Sequence, residues 1–312
     1  MDLKQLRAFL TVVETGNVTR AADVLNLVQP AVSRQIRLLE EDIGTPLFER
    51  ERRGMVLTEA GQVLVGYARR ALLELDRARV EIKGVGQGIS GLVTLGLLPS
   101  SIDMLSSPLA SAVAAAYPGI RVRIAMGYAG TLQRWLASGE VDAALLYGVE
   151  HSPDVESTPL IEEPLWIIGP KHSALRPDRP VALADLVGQR LVLPSAPHGI
   201  RTLMEHACAV AHVTLDVSVE TNALSVQRSL VLGGHGWTIL PPIAVADDLR
   251  RNQLRGAPLI DPDITRTIVL GLSTNRPISR AVQCTVDVLI DVARNAVASG
   301  AWIEGRWLGQ KR

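Results

Sequence analysis

Apolar residues recur at helical spacing from the first turn of the chain. Leu3, Leu6, Leu10 and Val13 mark one face, and Gly16 follows as a stop. Asn17 is a suitable N-cap for a second helix, whose face is Val18, Ala21, Ala22 and Leu25. A break of a few residues over 26–29 leads to Pro30, tolerated at a helix start because its missing N–H would be unpaired there anyway. In the third helix Val32, Ile36, Leu39 and Ile43 fall within about 60° of one another at 100° per residue and define the buried side. Pro30, Ser33, Arg34 and Arg37 lie on the far side, with Gln29 near its edge.

A helix with a narrow apolar stripe, a short turn before it, and Gln, Ser and Arg on its outer face suits the major groove of DNA. Arg bonds guanine bidentately, Gln bonds adenine, and Ser takes a base edge or a phosphate. The same face also fits the solvated side of a small bundle. The next segment favours DNA. Glu49-Arg50-Glu51-Arg52-Arg53-Gly54 is a charged turn before Met55-Val56-Leu57, a hairpin whose basic tip forms a wing able to touch phosphate or reach the minor groove.

Leu6-Arg7-Ala8-Phe9, Ala21-Ala22-Asp23-Val24-Leu25, Gln29-Pro30-Ala31-Val32-Ser33-Arg34-Gln35-Ile36, Leu38-Leu39-Glu40, Gly44, Pro46-Leu47-Phe48, Arg50 and Leu57-Thr58-Glu59-Ala60-Gly61 together resemble the DNA-binding domain of the LysR-type regulators, without a gap. The resemblance implies that Gln29, Pro30, Ser33 and Arg34 work on DNA from the recognition helix, and Arg52 and Arg53 from the wing. Arg37 joins them on helical phase alone. It also implies double-stranded DNA with an interrupted palindromic operator as partner, and RNA polymerase as a further one.

Thr58 is an N-cap and Glu59 favours the positive end of the helix that follows. No proline occurs from there to Gly84. Leu64, Ala68, Ala71, Leu75, Ala78 and Ile82 step by four and three, the seam of a coiled coil. A helix over 59–83 would be about 40 Å long with little of its own to bury against. A second copy of the chain is the economical partner, and the resemblance implies dimerisation here and a homotetramer beyond it. Gly86-Gln87-Gly88-Ile89-Ser90-Gly91 spells GxGxxG, but it follows a helix and precedes a strand, the reverse of a dinucleotide site, and reads as a hinge.

From Gly91 the pattern alternates between strands (92–98, 120–125, 141–146, 165–168, 191–193, 213–220, 237–240, 267–272) and helices (105–117, 131–137, 200–211, 224–232, 278–298). That predicts an α/β domain with a parallel-rich sheet. Such sheets bind ligands beyond the carboxyl ends of strands, near helix N-termini. Ser100, Ser101 and Thr131 occupy such positions, as does the loop 194–201 with His198 and Arg201. The hydroxyls either face a cleft or only cap helices, and the loop residues either bind ligand or only meet solvent.

This region resembles the LysR effector domain, which has two lobes like those of periplasmic solute-binding proteins. The organisation expected is a winged helix-turn-helix over 1–58, a linker helix and hinge over 59–89, and an effector-binding domain over 90–312. Lobe I takes about 91–162 and 265–300, lobe II about 163–264. By the resemblance Ser100, Ser101, Thr131, His198 and Arg201 face an effector held between the lobes. On the 195–201 segment alone, the nitrogen-assimilation-control branch is most similar. Helix N-termini and Arg201 together point to an anionic small-molecule effector.

Composition limits the alternatives. The 312 residues suffice for two or three units, and 47% apolar with 21% charged is an ordinary globular balance. Net charge is +0, so DNA binding must come from local charge placement. Cys208 and Cys284 are far apart in sequence and fit two small apolar residues in a reducing cytosol. His206, Cys208 and His212 do not share a helical face, so no metal is expected. The uncharged run Met104–Ile120 holds Pro108, Pro118 and Gly119 and is too short for a bilayer, and the N-terminus is no signal peptide. A cytoplasmic protein is expected. No HExxH, P-loop or GxSxG occurs, so neither an enzyme nor a cofactor is expected.

Overall fold

The computed structural model describes residues 1–51, 54–84, 88–148, 153–275 and 277–309. Its contacts divide into two units, Met1–Leu92 with Ser138–Glu140, and Val93–Ala137 with Val141–Arg312.

The first unit opens with α1 (Leu3–Thr15), α2 (Val18–Leu25) and α3 (Gln29–Ile43). Asp2 and Gln5 form a reciprocal capping box on α1, and the Asn17 side chain accepts from the N–H groups of Thr19 and Arg20 on α2. Phe9, Val12, Ala21, Val32 and Leu39 are fully buried in a shared core. Ile43 departs from expectation: it is exposed, because α3 ends there at Gly44 and the chain turns away from the core. Strands β1 (Phe48–Glu51) and β2 (Gly54–Leu57) form the antiparallel hairpin. Gly54 has φ +130, and a Cβ there would lie 2.4 Å from the Gly16 carbonyl oxygen, which accepts from Met55 N–H. Only glycine allows the hairpin to seat on the α1–α2 turn.

Helix α4 (Glu59–Gly84) starts at Thr58, whose Oγ1 accepts from Gly61 N–H. Its apolar positions split. Leu64, Ala68 and Leu72 pack into the core of their own unit, whereas Val63, Tyr67, Ala71, Leu75, Ala78 and Ile82 are exposed. These six fall within about 120° of helical phase and form a continuous stripe.

The second unit contains β3 (Ser90–Leu97), α5 (Ile102–Ala116), β4 (Gly119–Met126), α6 (Ala129–Ser138), β5 (Ala143–Tyr147), β6 (Val155–Pro164), β7 (Trp166–Pro170), β8 (Val181–Ala182), β9 (Arg190–Leu193), α7 (Gly199–Ala211), β10 (Asp216–Glu220), α8 (Leu224–Leu232), β11 (Thr238–Leu240), α9 (Ala246–Arg250), β12 (Leu254–Ile260), β13 (Thr265–Ser273), α10 (Arg280–Ala298) and β14 (Arg306–Trp307). One sheet has the order β14-β6-β13-β5-β3-β4, and a second β11-β7-β12-β8. Strands β9 and β10 pair in parallel, and a bridge from Leu191 to Trp237 ties them to the start of β11.

The sheets are mixed rather than parallel-rich. Strand β13 runs antiparallel to both β5 and β6, and β7 antiparallel to both β11 and β12. The cause is the double crossing between lobes, because β6 leaves the first lobe and β13 returns to it alongside. Near the crossing the ladder shifts register opposite Pro159, which has no N–H to donate. Leu160, left out of that ladder, accepts from Leu308 N–H instead. The C-terminal segment therefore packs on its own unit: β14 pairs with β6, and Trp302 is 1% exposed.

Candidate DNA-binding and effector sites

Helix α3 has Val28 as its N-cap, and Pro30 falls in its first turn as expected. Gln29 and Pro30 are exposed, and Gln29 Nε2 donates to Ser33 Oγ at 2.7 Å, so these two side chains are held together before any ligand arrives. Arg34 is exposed, one turn further on. Arg37 is also exposed, 3.4 Å from Glu41 on the same helix, which offsets part of its charge. Arg52 and Arg53, the two wing residues singled out in the sequence, lie outside the described residues.

In the second unit a cleft of about 350 Å³ of empty space, open to solvent, lies between the two lobes. From the first lobe come Pro99 and Ser100 after β3, Tyr128 after β4, Tyr147 at the end of β5 and Arg266 in β13. From the second come His198 and Ile200 after β9, Asn222 and Leu224 after β10, and Leu240 and Pro241 at the end of β11. The cleft thus sits at the carboxyl ends of strands in both lobes, where backbone N–H groups of following helices converge.

Arg266 is the cation of this cleft. It is 5% exposed and forms a buried ion pair with Glu163, Nε donating to Oε1 at 2.6 Å and Nη2 at 2.5 Å. Nη2 also donates to Ser100 Oγ at 2.8 Å, and the guanidinium lies 4.8 Å from the Tyr147 ring centroid. The second Glu163 oxygen accepts from Trp302 Nε1 at 2.7 Å. One carboxylate at the strand crossing therefore joins the C-terminal segment to the cleft.

His198 caps α7, its Nδ1 accepting from Ile200 N–H at 3.2 Å, which leaves the proton on Nε2. Burial and the nearby Arg266 charge lower its pKa from 6.5 to about 4, so it is neutral at physiological pH. Its ring meets Tyr128 edge-on, with centroids 5.2 Å apart. Burial pushes the Tyr147 hydroxyl up from its usual range, so it too is a neutral donor. Tyr128 fastens the lobes together: its hydroxyl donates to the Asn222 carbonyl and accepts from Leu224 N–H at 3.3 Å. Gly199 permits the close approach of the lobes, since a Cβ there would be 2.3 Å from Tyr147 Cε2.

Of the five residues expected at the cleft, Ser100 and His198 line it. Ser101 does not: it is fully buried, and its hydroxyl turns back to the Leu98 carbonyl at 3.3 Å. Thr131 sits one turn into α6, away from the cleft lining, and accepts from Arg134 at 3.2 Å. Arg201 is also outside the lining. Glu205 and Glu220 each hold it at 2.7 Å, tying α7 to the end of β10. It lies in the first turn of the helix, where Glu205 is its i+4 neighbour, so its guanidinium is engaged beside the helix. Arg266, Tyr128 and Tyr147 were missed. A usable signal existed for the tyrosines: the chain has only four, of which Tyr147 ends a strand and Tyr128 comes two residues after one.

A family model described as bacterial regulatory helix-turn-helix protein, lysR family, matches residues 3–62, and one described as LysR substrate binding domain matches residues 86–294. The HTH-type transcriptional regulator BbuR of Bordetella bronchiseptica is 31% identical, over 97% of this chain and 93% of its own length. The nitrogen assimilation regulatory protein nac of Escherichia coli is 28% identical, over 95% of this chain and 97% of its own. In fold, full-length CbnR in a crystal structure with its target DNA matches with a TM-score of 0.72 at 21% identity, over 95% of this chain and all of that one. With both family models matched in order along one chain, the protein belongs to the LysR family of DNA-binding transcriptional regulators with an effector-binding domain.

Proposed function

We propose that this regulator reads an interrupted palindromic operator with α3 and its wing, and answers to a small carboxylic acid held between the lobes. Gln29, Pro30, Ser33 and Arg34 meet base edges in the major groove, Arg37 follows on the same face, and Arg52 and Arg53 neutralise phosphate. The exposed stripe of α4 pairs with a second copy, giving a homodimer whose two reading helices span the two half-sites. Dimers pair into a tetramer, and RNA polymerase is the downstream partner. The protein acts in the cytoplasm, and among the described residues no helix is long and apolar enough to cross a membrane.

One observation supports the acid. Four polar groups of the cleft lining offer donors: Arg266, the Tyr147 hydroxyl, His198 Nε2–H and the Asn222 amide, whose oxygen already accepts from Ser195 N–H at 3.0 Å. A ligand rich in acceptor oxygens satisfies all of them. Because Glu163 already neutralises Arg266, the preference for an acid rests on these donors rather than on net charge, and a second carboxylate would meet no counter-charge.

Thermal-shift screening of the full-length protein against short aliphatic and benzoic-type monocarboxylates and their amides tests this. Acids should stabilise and amides should not. A panel of acids with no binder, in a protein that still regulates, would favour a regulator that works without an effector. The Tyr128 contact, which joins the lobes through protein groups alone, is the observation on that side.

A further inference from the structure

Every other helix of the N-terminal unit is capped by a side chain: Asp2 on α1, Asn17 on α2 and Thr58 on α4. Helix α3 is not. Its N-cap is Val28, which makes no side-chain hydrogen bond and is 70% exposed. Valine is among the poorest residues at that position, where Ser, Thr, Asp or Asn would take a backbone N–H. Exposure of a branched apolar side chain brings no compensating burial within the unit. The position adjoins Gln29, whose side chain is already fixed to Ser33.

We propose that Val28 is a specificity-determining residue, its methyl groups packing against the C5-methyl of a thymine next to the base that Gln29 reads. In the major groove the thymine methyl is the one apolar feature that separates bases, and an apolar side chain is its complement. A serine at Val28 would cap the helix better and read that methyl worse. The valine is therefore in the right place for DNA and the wrong place for helix stability. This inference rests on the reading of α3 as the recognition helix.

The test uses full-length protein and a duplex selected by the wild type from a random library. Each thymine of both half-sites is replaced in turn by deoxyuridine, which removes only the methyl. For wild type, one position should lose about fourfold in affinity per half-site, the factor that one methyl-sized group is worth on burial. Val28→Ser should show no uracil penalty at that position, with Tm equal to or a few degrees above wild type. Val28→Thr, which keeps one methyl and can cap, should fall between the two. The inference is overturned if wild type shows no uracil penalty, or if Val28→Ser retains the same one. Gln29→Ala is the control. If it selects the same sequence as wild type, α3 is not the reading helix and the proposed function fails at that step, taking this inference with it. If it changes the selected base while Val28→Ser leaves the uracil penalties untouched, only the role of Val28 falls.

Discussion

Replacing Glu163 by Gln isolates the buried charge behind the cleft. Glu163 is fully buried, Arg266 is 5% exposed, and the pair has no bulk solvent to fall back on. The amide oxygen of Gln can still accept from Arg266, but its NH2 then faces the Trp302 indole N–H, donor against donor. Removing one member of a buried pair costs about 3–5 kcal/mol, because the remaining charge is uncompensated. At about 2–4 °C per kcal/mol for a domain of this size, Tm should fall on the order of 10 °C. Adding Trp302→Phe to that background removes the donor clash and should return about 1 kcal/mol, although Trp302→Phe alone destabilises. Differential scanning calorimetry on the four proteins gives the cycle. A small carboxylate such as acetate should raise Tm more in Glu163→Gln than in wild type, since it supplies the missing negative charge beside Arg266. A Tm within about 2 °C of wild type would refute the reasoning, since the carboxylate would then contribute less than one ordinary hydrogen bond.

Four further outcomes follow from the same geometry. Arg34→Ala should cost about 1–3 kcal/mol on the selected operator and much less on random DNA; equal losses in fluorescence-anisotropy titrations would make Arg34 a phosphate contact. Leu75→Asp puts a charge on a residue 39% exposed in the single chain, so circular dichroism should be unchanged while sedimentation shows dissociation; an intact oligomer would move the interface elsewhere. Arg201→Ala removes two ion pairs to half-exposed glutamates, costs at most about 1 kcal/mol, and should leave the response of a reporter gene unchanged; a lost response would return Arg201 to the binding site. His198 has a folded pKa of about 4 against 6.5 unfolded, so the unfolded chain binds the extra proton and stability falls as pH drops from about 6.5 to 4. After allowing for solvent at the ring, His198→Asn should flatten that pH dependence by about 1–2 kcal/mol, and parallel melting curves for the two proteins would count against it.

The helical elements were legible because each carries its own punctuation. Gly16, Asn17 and Thr58 mark ends with local chemistry, and the buried faces of α2 and most of α1 and α3 follow from period alone, Leu3 and Ile43 at the helix ends being exposed. Strands with apolar-rich runs, such as Leu92–Leu98 and Leu165–Ile168, were equally readable. Strands β6 and β12 were not, for Pro159 and Pro258 interrupt them and β6 alternates poorly, with four successive exposed residues. The cleft failed for a different reason. Ser100 and Arg266 meet across 166 positions, and only the crossing of β6 and β13 brings them together. Arg201 looked like the cation because it stands in a loop-to-helix sequence of the right kind, yet its glutamate partners at 205 and 220 are as plain in the sequence as it is. Helical phase places Glu205 beside Arg201, and the pairing of β10 with β9 brings Glu220 to it.

The closure of the lobes sets what any effector must do. Tyr128 bonds the Asn222 carbonyl and the Leu224 N–H from across the cleft and meets His198 edge-on, so the lobes are joined by protein contacts of their own. A ligand that binds open and closed forms equally shifts nothing, however tightly it binds. Control therefore depends on the difference. An acid that only adds to these contacts favours closure, whereas one that displaces the Tyr128 hydroxyl from Asn222 favours opening. Tyr128→Phe separates these cases, because it removes both hydrogen bonds and leaves the ring against His198. If the acid works by closing the lobes, Tyr128→Phe weakens its binding, since closure then has to be driven by the ligand alone. If it works by opening them, the variant binds more tightly and mimics the liganded state without it. Calorimetric titration of wild type and Tyr128→Phe with the same acid reads the sign directly, and identical affinities would mean that Tyr128 is no part of the switch.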